Sequence, residues 1–121
     1  MYALEVIKFL DRLPKNDLSC QVIAKQLIRR STSIVANIVE AHASSTKKEF
    51  TNFFQHSLKS ANESKFWLCL LRDSGKAGKE LVKALLAEAE ELANILASSI
   101  LTLKGKKNSF CLQVVVFSFS L

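Results

Sequence analysis

The side chains of this 121-residue chain that could do chemistry are two histidines, three cysteines and eleven carboxylates. His42 and His56 stand fourteen positions apart, so they do not form the one-turn pair by which a helix holds a metal. Cys20, Cys69 and Cys111 are widely spaced and odd in number, which gives neither a metal-ligand spacing nor a disulfide framework. Cys20 and Cys69 read as small core hydrophobes in a reducing compartment. Glu40, Glu49 and Glu63 are scattered along the chain rather than held as an acid/base pair. There is no glycine-rich phosphate loop and no nucleophile motif. The expectation is no catalytic, cofactor-binding or metal-binding residue, and so no enzyme.

The cations are more informative. The net charge is +6 and the pI about 9.4. Residues 41–79 carry seven Lys/Arg against three Asp/Glu, whereas 80–104 carry two against four. An uneven basic excess fits nucleic acid or an acidic partner, though a soluble helical surface with surplus lysine would look similar. The candidate phosphate-contacting residues are Arg29, Arg30, Lys47, Lys48, Lys59, Lys65, Arg72, Lys76 and Lys79. Contact through them would be electrostatic and largely sequence-independent. Phe50, Phe53, Phe54 and Trp67 read as core, so no aromatic platform for bases stands out.

The elements that must position these residues are helices. Hydrophobic residues make up 49% of the chain, with only three glycines and one proline. So few breakers in so apolar a sequence favour long helices. Ala3, Val6, Leu10 and Leu13 predict a short helix over 2–13, closed by Pro14. Asn16 or Asp17 can cap a second helix over roughly 18–42, with Ile23, Leu27, Ile34, Ile38 and Ala41 on one face. A turn follows at 43–46. Thr46 and Glu49 fit a capping box, the Thr46 hydroxyl accepting from the Glu49 amide and the Glu49 carboxylate from the Thr46 amide.

Phe50, Phe54, Ser57, Ala61, Ser64, Leu68 and Leu71 then step by four and three down a third helix, widened by Phe53, Leu58 and Trp67. Its small middle residues allow close helix approach. Residues 72–78 form a loop, and Val82 to Leu103 repeats the pattern in a fourth helix from about Lys79. Leu81, Leu86, Ile95 and Ile100 flank that seam, so an oligomer would bury it better than a monomer. Folding the second helix back on the third places Arg29 and Arg30 near Ser60 to Glu63, so Glu63 is expected to pair with one of them. Asn37 lies beside the apolar stripe and is expected to bond across to a neighbouring helix.

The fold expected is all-α: an antiparallel up-down-up-down four-helix bundle over 1–105, with a hydrophobic tail over 106–121 that is strand-like or disordered. No basic leader opens the sequence and no run is long enough for a helix to span a bilayer, so a cytoplasmic location is expected.

Three blocks carry a resemblance: KQLIRRSTSIVANIVEA over 25–41, TKKEF over 46–50 and SLKSANESKFWLCLLRDSG over 57–75. In order and separation they resemble the bacterial 23S rRNA intervening-sequence protein family. Gln26, Leu27, Arg29, Thr32, Ser33, Ile34, Ala36, Asn37, Glu40 and Ala41 match its first block. Lys47, Lys48 and Phe50 match the second. Leu58, Lys59, Ala61, Glu63, Trp67, Leu68, Leu70, Leu71, Ser74 and Gly75 match the third.

Ser31 and Val35 stand where the pattern prefers glycine, Asn62 replaces a basic position, and the tail from Lys106 has no counterpart. The resemblance implies a four-helix bundle, no cofactor and a homo-oligomer, a pentamer in several relatives. Some relatives are encoded within 23S rRNA genes. The retroelement accessory proteins related to the family bind nucleic acid and a reverse transcriptase. The function expected is therefore an oligomeric helical bundle associating with RNA or DNA through its basic surface; the alternative is a protein–protein scaffold.

Overall fold

The computed structural model describes residues 1–105. Four helices are present among them, with no strand: α1 (Tyr2–Leu10), α2 (Leu18–Ala43), α3 (Lys47–Asp73) and α4 (Lys79–Leu103). They form a four-helix bundle in which α2 packs on α3, α3 on α4, and α1 against both α2 and α4. The expectation for the tail lies outside the described residues.

The helix ends follow from local chemistry. Pro14 disfavours helical backbone at Leu13. The α-helix therefore stops at Leu10, short of the 2–13 expected, and continues as tight turns in which Arg12 N–H donates to Phe9 O and Leu13 N–H to Leu10 O, each at 3.1 Å. Leu13 is still buried. Of the two possible caps, Asp17 is the one used: its carboxylate accepts from the Cys20 amide at 3.0 Å.

The Thr46 hydroxyl accepts from the Glu49 amide at 3.1 Å, as expected. The reciprocal half of the box differs: Glu49 Oε2 accepts from the Ser45 amide at 3.1 Å, one residue earlier than Thr46. α3 closes in a Schellman arrangement, with Lys76 N–H donating to Leu71 O and Gly75 N–H to Arg72 O, each at 3.2 Å. Gly75 has the left-handed backbone this needs, φ +70°.

The core is one cluster running the length of the bundle. Phe54, Ser57, Ala61, Ser64, Leu68 and Leu71 of the expected α3 stripe are buried, and Phe50 packs at the edge, stacked on Phe54 with ring centroids 4.6 Å apart. In α4, Val82, Leu85, Ala89, Leu96, Ser99 and Leu103 are buried as the repeat expects, Ala93 and Ile100 are buried beside them, and Leu92 is half-buried. Cys20 is buried and Cys69 half-buried, so only the first is a core residue.

The α2–α3 seam is built on small polar side chains. Ser57 Oγ donates to Ile34 O at 2.8 Å, Ser60 Oγ to Ser33 Oγ at 3.0 Å, and the Ser31 and Ser64 hydroxyls lie 3.4 Å apart. Partners on α3 thus advance from 57 to 64 as those on α2 retreat from 34 to 31. Asn37 does not reach across as expected. Its Nδ2 donates within α2, to Ser33 O at 2.8 Å and Ser33 Oγ at 3.0 Å. The carbonyl one turn back is the nearer acceptor, and Ser33 carries the link onward to Ser60.

Candidate nucleic-acid interface

The nine candidate cations separate into two groups. Four are engaged with carboxylates. Arg30 Nε lies 2.5 Å from Glu63 Oε2, the pair expected from the hairpin register. Its N–H is not aimed along that line, so this is a contact ion pair rather than an aligned hydrogen bond. Lys65 Nζ donates to Glu90 Oε2 at 2.8 Å, tying α3 to α4. Arg72 meets its neighbour Asp73 through Nε at 2.8 Å and Nη2 at 3.3 Å. Lys76 Nζ lies 2.5 Å from Asp17 Oδ2, which links the 74–78 loop to the start of α2.

These contacts perturb titration. The Lys76 hydrogen bond, helped by the Cys20 amide, holds Asp17 below the usual carboxylate range, and Asp17 in turn raises Lys76. The Arg72 hydrogen bond lowers Asp73, and Asp73 raises Arg72. Burial pushes the Cys20 thiol up, with the Asp17 charge adding to it. Burial likewise raises Tyr2, whose phenol oxygen sits near Ser31 and Ser64 without an aligned bond.

The other five cations, Arg29, Lys47, Lys48, Lys59 and Lys79, are exposed and make no ion pair among the described residues. Lys47 and Lys48 occupy the first turn of α3. With Thr51, Asn52, Gln55 and Lys104 they line a shallow depression of about 320 Å³. Lys104 is not among the sequence candidates. Only the packing of α4 along α3 brings it beside the Thr46 turn, so no local signal could have found it.

On α3, Lys48, Asn52, Gln55, Lys59, Asn62 and Phe66 follow at steps of four, three, four, three and four, and all are exposed. They form one outward stripe roughly 27 Å long. It carries two cations and three amides but no carboxylate. Phe66 is 55% exposed and braced edge-on by Trp67, with ring centroids 4.9 Å apart at 71°. No aromatic platform is expected from the sequence, where Phe66 is not singled out; it lies just outside the apolar stripe.

Among the described residues, no cluster of His, Cys, Asp or Glu could hold a metal ion. No helix there is long and apolar enough to cross a membrane.

A family model described as 23S rRNA-intervening sequence protein matches residues 1–98. No curated protein matches the chain. Among solved structures, a protein of unknown function from the S23 ribosomal protein family of Bacteroides thetaiotaomicron is 28% identical, with a TM-score of 0.67. The match covers 83% of this chain and 98% of that one.

Proposed function

This chain belongs to the 23S rRNA-intervening sequence protein family, and on that footing we propose that it is a non-enzymatic bundle that associates with RNA through the outer face of α3. The carboxylate-free stripe from Lys48 to Phe66 carries the proposal. Its lysines offer charge to phosphates, its amides offer donors and acceptors, and Phe66 offers a face for one base. Lys47 and Lys104 extend the basic surface at the Thr46 end, and Arg29 is a further exposed cation on α2. Arg30, Lys65, Arg72 and Lys76 are committed to carboxylates and contribute less.

The helices are taken as antiparallel, up-down-up-down, and the functional unit as a cytoplasmic homo-oligomer, which repeats the stripe by symmetry. A ring of five follows from the family resemblance alone, and light scattering measures it.

The deciding experiment is fluorescence anisotropy on a single-stranded RNA at several salt concentrations. Each phosphate neutralised adds about 0.7 to the slope of log affinity against log salt. Lys48→Glu with Lys59→Glu flattens that slope and weakens binding, whereas Lys83→Glu on α4 does not. An affinity that ignores salt refutes the proposal. A protein–protein scaffold is then the better reading, and the exposed Phe66, Leu70, Leu81 and Leu101 are the observation favouring it.

A further inference from the structure

The α2–α3 seam fixes which residues of the two helices stand side by side. Ser57 meets Ile34, Ser60 meets Ser33, Glu63 meets Arg30 and Ser64 meets Ser31. Continued at the same count, position 66 falls opposite residues 25–29 of α2. Arg29 and Phe66 stand out of the seam on one side. Each directly precedes a residue that helps to close it: Arg29 precedes Arg30, which is held by Glu63, and Phe66 precedes Trp67, which packs against the core. One position turns a helical side chain by roughly 100°, here away from the seam and into solvent. Arg29 is exposed and makes no ion pair among the described residues, and Phe66 is 55% exposed. Packed helix axes lie roughly 8–10 Å apart, so the long Arg29 side chain spans to a ligand seated on Phe66.

Charge separates the two ways onward from Phe66. Along α3, the outer stripe continues at steps of four and three through Leu70 to Asp73, whose side chain is 66% exposed. Across the seam, α2 has no Asp or Glu from Leu18 to Val39. A polyanion that keeps to α3 therefore meets a carboxylate, whereas one that crosses to α2 meets Arg29.

Resting on the reading of the α3 face as an RNA contact, we propose that the RNA is single-stranded and leaves that face at Phe66, with one unpaired base stacked on the Phe66 ring and an adjacent phosphate held by Arg29 of α2. Phe66 is the reason for the strandedness. Inside a duplex both faces of a base are covered by its neighbours, so a ring on a convex helix surface reaches neither. In a single strand a base splays out and lies on the ring. Trp67 braces Phe66, with ring centroids 4.9 Å apart at 71°, so the ring loses little freedom when a base lands on it.

Trp67 supplies the readout, because it is the chain's one tryptophan and lies against Phe66. The full-length protein is titrated with a short single-stranded RNA of mixed sequence and with the duplex made from it, following RNA anisotropy and Trp67 emission together. Charge alone favours the duplex, whose phosphates are denser. The expected result is tighter binding of the single strand, and quenching of Trp67 by the single strand only. Phe66→Ala should weaken the single strand roughly 5- to 150-fold and leave the duplex unchanged. Phe66→Tyr keeps a ring and should keep both the affinity and the quenching. Arg29→Gln should lower the salt slope for the single strand by about 0.7. Lys25→Gln removes the same charge one turn away, in the groove beside Ile7 and Asp11 of α1, and should leave the slope unchanged. A duplex bound as tightly as the single strand, or a single strand indifferent to Phe66→Ala, overturns the proposal and leaves the α3 reading standing. An unchanged slope in Arg29→Gln overturns the crossing to α2. Binding of neither RNA overturns the α3 reading and this proposal together.

Discussion

Ser57 offers the sharpest test of the α2–α3 seam. It is fully buried, and its hydroxyl donates to Ile34 O at 2.8 Å. Ser57→Ala removes that bond, worth about 1 kcal/mol net. The Ile34 carbonyl keeps its bond inside α2, so no acceptor is orphaned, and alanine is the better helix former by about 0.5 kcal/mol. The net loss should therefore be about 0.5–1 kcal/mol.

Ser57→Leu removes the same bond and also forces three carbons into a site with no exposed surface. Overpacking adds about 1–3 kcal/mol, for a total of about 2–4 kcal/mol. For a domain of this size each kcal/mol lowers Tm by about 4 °C or somewhat more, so the alanine variant should melt a few degrees low and the leucine variant about 10 °C low. Thermal and urea unfolding, followed by circular dichroism on the same preparations, give both numbers. If Ser57→Leu is as stable as Ser57→Ala, the helices are not held close by small residues and the account of the seam is wrong.

Other consequences are directly measurable. Thr46→Ala should cost about 1 kcal/mol, and Thr46→Ser much less, because serine keeps the oxygen that accepts from Glu49; equal losses would show that the cap is not the cause. The Asp17 and Asp73 carboxyls titrate lower in the folded chain than unfolded, so their stabilisation is present above the ordinary carboxylate pKa and is lost as pH falls through the lowered value. Lys76 titrates higher when folded, so its share is present below the ordinary lysine pKa and lost as pH rises through the raised one. Asp17→Asn keeps a capping side chain but removes the charge, so it should flatten the acid side of the stability profile; an unchanged profile would remove Asp17 as a contributor. Glu63→Gln should cost no more than about 1 kcal/mol, because the Arg30 pair is one-third exposed. A larger loss in urea unfolding would mean that the pair is more tightly enclosed than its exposure indicates.

Much of the scaffold is written locally. The four-and-three steps of α3 name its buried face almost residue by residue, and Thr46 and Pro14 punctuate the chain where helices begin and end. Hydrogen bonds within a turn depend on neighbours three or four positions away, so sequence spacing is enough to find them. Even there the margins moved: Pro14 acts one residue upstream, which shortened α1, and Glu49 found the Ser45 amide rather than that of Thr46. Asn37 had a partner one turn back that sequence reasoning passed over.

The candidate surface was legible only as a set of residue types. The sequence determined that the α3 region is rich in cations and poor in carboxylates. It also narrowed the partners of Glu63 to two arginines. Tertiary structure decided that Arg30 rather than Arg29 takes Glu63, that Lys65 is held by Glu90 and Lys76 by Asp17, and that Lys104 joins Lys47 and Lys48. Each of those outcomes depends on how far one helix is rotated and slid against another. One residue along a helix turns a side chain by roughly 100°, so the choice between adjacent arginines waits on packing.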